Sequence, residues 1–176
     1  MSRIQPPEAQ NLSSQVQEIF KEVEAEFGMV PNLFRTYAHY PPLLEANWNK
    51  VKAVMVQGDL NQKVKQTIAV LVSKDNSCAY CVAAHTGALK SIGVSEEEIQ
   101  NITEQIDKAD FNAQEQALIR FARKASREPL KITGDEFDAL RKTGVSDAEI
   151  IEALGVMELF TSFNRFLDAL QVDIDF

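Results

Sequence analysis

The eight residues Cys78-Ala79-Tyr80-Cys81-Val82-Ala83-Ala84-His85 contain both cysteines of the chain and one of its two histidines. If the segment is helical, Cys78 and Cys81 lie one turn apart and His85 one turn beyond Cys81, so two sulfurs and an imidazole share a face. Thiol chemistry requires thiolate, and a free cysteine near neutral pH is mostly protonated. The first turn of a helix, with its unpaired N–H groups and positive dipole end, favours a negative sulfur, and a neighbouring imidazole can take the proton. Along a helix the two cysteine Cα atoms are roughly 5 Å apart, within the range a disulfide tolerates. One sulfur can therefore attack and the other resolve. A thiolate that attacks an O–O bond becomes a sulfenic acid, which the second thiol converts to a disulfide before over-oxidation. Proximity to His85 favours Cys81 as the attacking sulfur, whereas the stronger helix dipole favours Cys78.

Other chemistries fit these residues less well. A thioredoxin-type Cys-x-x-Cys follows a β-strand, and here the preceding segment reads as helix. A closed structural zinc site wants four ligands, and the other histidine, His39, sits beside the proline pair Pro41-Pro42 and reads as a surface or interface residue. A buried cysteine behaving as a small hydrophobe, or a satisfied core histidine, would be ordinary singly, but not two cysteines and His85 together on one face at a helix start.

The elements that must position this face are helical. Seven glycines, six prolines and long stretches of 3.6-residue periodicity predict an almost wholly α-helical chain with no strand. Helices are predicted over Ser13–Glu26, with Val16, Ile19, Phe20 and Val23 inward and Gly28 as stop, over Leu43–Val56 ending at Gly58, and over Leu60–Ser73 with Ile68, Leu71 and Val72 inward. Asn76 or Ser77 then caps a helix from Cys78 to Ile92, ended by Gly93, with the cysteines in its first turn. Further helices are predicted over Ala113–Arg127, Gly134–Lys142 and Ser146–Leu170. The segment Gly93-Val94-Ser95-Glu96-Glu97-Glu98-Ile99 recurs 51 positions later as Gly144-Val145-Ser146-Asp147-Ala148-Glu149-Ile150, each time ending one helix and capping the next with serine. The domain organisation expected is one all-helical domain over 1–176. It comprises N-terminal helices over 1–58, a cysteine-bearing helical unit over 59–105 and a second helical unit over 113–176. A chance recurrence of a common stop–start signal explains the repeat equally well.

At 176 residues and 45% apolar composition the chain can build a real core without staples. Two cysteines three positions apart close too small a loop to constrain the unfolded chain, so a disulfide there is chemical rather than structural and points to a reducing compartment. The N-terminus has no apolar run of signal-peptide length, and no stretch offers the ~20 apolar residues that span a bilayer. The expectation is a soluble, cytoplasmic protein. A formal charge of −8 argues against nucleic acid as partner. The short basic groupings, Lys63/Lys65 and Arg120/Arg123/Lys124/Arg127, read as solvated helix faces.

Three segments resemble the alkylhydroperoxidase-like group of the carboxymuconolactone decarboxylase superfamily, in its peroxidase-related branch. Cys78-x-x-Cys81-x-x-x-His85 is similar to the cysteine signature of that group. Val30-Pro31-Asn32-Leu33-Phe34 with Pro41-Pro42-Leu43-Leu44-Glu45 resembles its N-terminal region, and Phe163-Asn164-Arg165-Phe166-Leu167-Asp168-Ala169-Leu170 its C-terminal end. The resemblance implies an all-α fold of two related helical units assembled into trimers or hexamers. It also implies reduction of organic hydroperoxides or hydrogen peroxide, with no tightly bound cofactor and with recycling by an external dithiol of the lipoyl or thioredoxin type. In that group the second cysteine is peroxidatic and the first resolves, which assigns attack to Cys81, resolution to Cys78 and a place in the proton relay to His85. Two positions depart from the group's pattern. The glutamate often found twelve residues before the first cysteine is here Gln66, which hydrogen-bonds but takes no proton. The histidine that some members place before the second cysteine is Tyr80, a poor base near neutrality. Against the peroxidase reading stand a general dithiol–disulfide oxidoreductase and a redox-sensing oligomer that does not turn over.

Overall fold

The computed structural model describes residues 1–176 and contains nine α-helices and no strand. In chain order these are α1 (Ser14–Phe27), α2 (Asn32–Tyr37), α3 (Pro41–Val51), α4 (Gln62–Asp75), α5 (Ala79–Ser91), α6 (Glu96–Glu104), α7 (Ala113–Arg127), α8 (Gly134–Lys142) and α9 (Asp147–Leu170). The all-α expectation holds, and none of the helices is long and apolar enough to cross a membrane.

Helix α4 is the axis of the molecule. Every residue from Thr67 to Ser73 is buried, and α5, α6, α7 and α9 all pack on it. A helix surrounded in this way must be apolar on more than one face, as Ile68-Ala69-Val70-Leu71-Val72 is. The one large polar intruder is Lys65, only 1% exposed, whose Nζ lies 2.8 Å from Glu152 Oε1 on α9 and also donates to the carbonyl of Gln57. The expectation of a solvated Lys63/Lys65 face fails at Lys65: positions two apart on a helix point about 200° from one another, to nearly opposite sides, so Lys63 reaches the rim while Lys65 turns into the core. A buried ion pair survives desolvation only with further hydrogen bonds, and Glu152 also accepts from the amides of Asp59 and Leu60.

Local chemistry explains most boundaries. The side chains of Ser13, Asn61, Ser95, Asn112 and Ser146 each accept from the backbone amide three residues on, capping α1, α4, α6, α7 and α9. Gly28 ends α1 at φ 76°, a left-handed conformation that glycine adopts without strain. The predicted helix over 43–56 begins two residues earlier, where Pro41 and Pro42 occupy a first turn that has no amides to lose. Its last turn, Lys52–Val56, widens to a π-turn in which the Gln57 amide reaches the Lys52 carbonyl. The segment after Pro31 forms the short helix α2, with Pro31 as its N-cap. The cap of α4 at Asn61 moves that helix to 62–75 from the predicted 60–73.

Several boundaries recur at one spacing. Asn61 and Asn112 cap α4 and α7, α5 and α8 end at Ser91 and Lys142, and Ser95 and Ser146 cap α6 and α9. Each pair is separated by the offset that separates Gly93 from Gly144 in sequence.

Candidate active site

The turn between α4 and α5 places the sulfurs. Ser77 takes a left-handed φ of 62°, and the Cys78 amide donates to the Ser73 carbonyl at 2.9 Å, so the chain reverses sharply against the end of α4. Cys78 is therefore the N-cap of α5 and not a residue of its first turn, and neither Asn76 nor Ser77 caps the helix. The physical cause is the αL residue at Ser77, which directs the chain back onto α4 before the helix begins. Ala79, Ala83, Ala84 and Ala88 then sustain α5 by helix propensity, with little amphipathic bias.

Cys78 is 0% and Cys81 2% exposed, and both are free thiols. They interact directly. The Cys81 thiol donates to the Cys78 sulfur, and this, with the Cys81 backbone amide, lowers the Cys78 pKa. The Cys81 pKa is correspondingly raised, first by that shared proton, then by burial and by the Cys78 charge beside it. When the pair loses its first proton, these contacts favour the charge on Cys78. Asp168 of α9 lies beside the Cys78 sulfur and opposes this charge, while Asn164 of α9 and Ser73 of α4 lie beside the Cys81 sulfur as donors that favour its ionised form.

His85 and Gln66 are brought together. His85 Nδ1 lies 2.6 Å from Gln66 Oε1, and Gln66 Nε2 points to Gln62 Oε1 at 3.4 Å. An amide oxygen only accepts, so Nδ1 carries the hydrogen and Nε2 keeps a free lone pair. The ring meets Phe160 of α9 edge-on at 4.2 Å between centroids, and burial pushes the His85 pKa down to about 3. His85 is a neutral base at physiological pH, one helical turn beyond Cys81, and makes no hydrogen bond to either sulfur.

Tyr80 faces elsewhere. Its hydroxyl donates to Asp175 Oδ1 at 2.9 Å and accepts from the Leu33 amide at 3.3 Å, its ring meets Phe176 edge-on, and burial raises its pKa. Asp175 Oδ2 also accepts from the Asn32 amide at 2.7 Å, so one carboxylate joins α5 to the start of α2. Helix α2 carries Tyr37, which lies near Cys81 and stacks on Phe166 at 4.0 Å. His39 is exposed and bonds only to the carbonyl of Gln5. No group of three or more His, Cys, Asp or Glu side chains is arranged to hold a metal ion.

Sequence reasoning alone left Ser73, Asn164, Asp168 and Asp175 without roles. The available signal was register: Asn164 falls at a core position between Phe160, Phe163 and Leu167, where an apolar residue belongs.

A two-cysteine helix start packed on a buried helix, walled by a long C-terminal helix, defines an all-α protein of the alkylhydroperoxidase-like type. Residues 41–124 match the model of the Carboxymuconolactone decarboxylase family. Over 93 residues the chain is 27% identical to an alkyl hydroperoxide reductase of Mycobacterium tuberculosis, a match covering 53% of this chain and 27% of that protein. The chain therefore spans only about a quarter of that relative's length. An uncharacterized protein of Bacillus subtilis is 21% identical over 65% of this chain and 78% of its own. Among solved structures, the alkylhydroperoxidase AhpD core of an uncharacterized peroxidase-related protein from Ralstonia eutropha superposes with a TM-score of 0.89 at 27% identity, covering 99% of this chain and 92% of that one. A peroxidase-related protein from Silicibacter gives 0.88 at 26%, with the same coverage. The debrominase Bmp8 shares the fold, at TM-score 0.83 and 22% identity over 98% of this chain and 91% of its own. The chain is thus similar over residues 41–124 to the carboxymuconolactone decarboxylase family, and over nearly its whole length to alkylhydroperoxidase-like, peroxidase-related structures.

Proposed function

We propose that the protein is a thiol-dependent peroxidase that reduces organic hydroperoxides or hydrogen peroxide through Cys81 and Cys78. The observation that carries this reading is a pair of free, buried thiols three positions apart at the start of α5, packed against α4 and α9. Moving the bridging proton from Cys81 to Cys78 generates a Cys81 thiolate without solvent. That thiolate attacks the O–O bond, the alkoxide leaves and is protonated to the alcohol, and Cys81 becomes a sulfenic acid. The Cys78 sulfur then displaces the sulfenic oxygen, which departs as water, and a Cys78–Cys81 disulfide remains. Two thiols and one hydroperoxide give one disulfide, one alcohol and one water.

In this reading Gln66 orients the His85 ring, His85 handles protons at Nε2, and Tyr80 positions α5 against α2. An external dithiol of the lipoyl or thioredoxin type reduces the disulfide, and the chain works as a homo-oligomer of trimeric or hexameric order. The near-complete burial of both sulfurs supports a small hydroperoxide over a protein disulfide as the oxidising substrate, because only a small molecule reaches them without wide opening. The fold also serves a debrominase, so fold alone does not select the substrate.

The test mixes fully reduced protein with limiting organic hydroperoxide, follows peroxide loss and maps the cysteines by mass spectrometry, with Cys81→Ser in parallel. Rapid loss with a Cys78–Cys81 disulfide, abolished in the variant, is the expected result. Loss no faster than with free cysteine overturns the reading and leaves two others. Turnover of disulfide substrates identifies an exchange enzyme, and a single oxidation with altered oligomer size identifies a sensor.

A further inference from the structure

Asn164 and Ser73 are both fully buried, and they approach the sulfurs from different helices. Asn164 Nδ2 donates to Ser73 Oγ at 3.0 Å, and Asn164 Oδ1 accepts from Asn76 Nδ2 at 3.0 Å, which fixes the amide orientation. Ser73 is itself anchored, its carbonyl receiving the Cys78 amide. A donor count then leaves two hydrogens unspent. The Ser73 hydroxyl accepts from Asn164 but finds no oxygen or nitrogen for its own hydrogen, and the second Nδ2 hydrogen of Asn164 has none either. Buried donors of this kind cost free energy unless they are partnered, and the neighbouring acceptor is the Cys81 sulfur.

We infer that Ser73 Oγ–H and Asn164 Nδ2–H form a preorganised donor pair for the Cys81 sulfur, holding it as thiolate before attack and the sulfenate oxygen after it. Both then act as catalytic residues, since they donate to the reacting atom once it is charged. Asn76 positions the pair by fixing the Asn164 amide. The inference rests on the reading of Cys81 as the attacking sulfur. It supplies what that reading lacks, because His85 makes no hydrogen bond to Cys81 and the first charge is favoured on Cys78. Donors held rigid by a buried network cost no reorganisation when charge arrives, which is how an oxyanion hole acts.

The test isolates Cys81 in a Cys78→Ser background and titrates it by ultraviolet thiolate absorbance, which does not require access to the buried sulfur. The titratable or charged groups near the pair are position 78 at the N-cap of α5, Tyr80 within α5, Tyr37 from α2 and Asp168 from α9, with His85 one turn further along α5. All of these are unchanged in the comparison. Ser73→Ala is expected to raise the Cys81 titration midpoint by about one unit, a roughly tenfold loss of thiolate at a given pH. Asn164→Asp keeps the side-chain shape while replacing a donor with a negative oxygen, and raises the midpoint further. A purely structural role would lower thermal stability without moving the midpoint. Midpoints within a few tenths of a unit of the parent in folded variants overturn the inference. Ser73→Ala removes one oxygen from a helix that tolerates alanine, so it decides the matter alone if Asn164→Asp fails to fold. The titration contains no peroxide, so a protein inactive toward hydroperoxide leaves this result standing on its own.

Discussion

His85 Nδ1 donates to Gln66 Oε1 across 2.6 Å, and this single bond sets what the imidazole can do. A neutral amide fixes the ring's tautomer and direction but gives an imidazolium no counter-charge, and burial holds the His85 pKa at about 3. The ring is oriented as an acceptor that reluctantly keeps a proton.

Gln66→Glu supplies the missing counter-charge. The carboxylate stabilises the imidazolium and raises the His85 pKa toward neutrality, so oxidation of the dithiol at pH 7 should accelerate by roughly tenfold if proton handling limits it. Stopped-flow measurement of the peroxide half-reaction checks this, and an unchanged or lower rate removes proton handling as the limiting step.

The same histidine makes the fold sensitive to acid. Its native pKa, about 3, lies below the ordinary value of 6.5, so between those limits the unfolded chain binds a proton that the native protein does not. Stability should therefore fall as pH drops from 6.5 toward 3, with a ceiling of about 1.4 kcal/mol per pH unit from this one group. Urea melts across that window, compared between the native chain and His85→Gln, should show a shallower acid slope in the variant.

Asp175 ties Tyr80 to the first amides of α2. Asp175→Ala leaves a buried phenol and a helix-terminal amide without their acceptor, at about 1–3 kcal/mol. It should also loosen α2, which places Tyr37 near Cys81. Thiol labelling by a small alkylating reagent should speed up in this variant. Equal labelling rates in variant and parent would show that α2 does not control access to the sulfurs.

Glu152→Ala strands the buried ammonium of Lys65 and should cost about 3–5 kcal/mol. Adding Lys65→Met removes the stranded charge and should recover part of that loss. Recovery stays partial because the amides of Asp59 and Leu60 also lose their acceptor. Denaturant melts of the single and double variants give the coupling directly, and additive losses would show that the pair does not interact.

Two capping residues were legible because they act within one turn of themselves: Ser95 and Ser146 each close on an amide three positions away. The nearness of the two cysteines was legible for the same reason, since they lie three positions apart where α5 begins. The burial of Lys65 was not, because it depends on a carboxylate in α9 far along the chain. Nor was the donor pair at Cys81, because Ser73 and Asn164 meet across 91 residues of sequence and neither lies beside a cysteine in the chain. The cap at Cys78 was missed because a left-handed serine at position 77 is a choice made by tertiary packing and not by serine's own preference.

The matched spacing of α4–α6 and α7–α9 breaks at one end. Helix α6 stops at Glu104, while α9 runs on past the equivalent residue, Gly155, to Leu170. That overrun bears Phe160, Phe163, Asn164 and Asp168, the α9 side chains that meet His85, Tyr37 and the two sulfurs. The half of the chain that carries no cysteine thus works as a toolmaker for the half that does. Grafting a Cys-x-x-Cys turn into α8 would transplant the sulfurs without the surroundings that tune them, and a second working centre would require lengthening α6 as well.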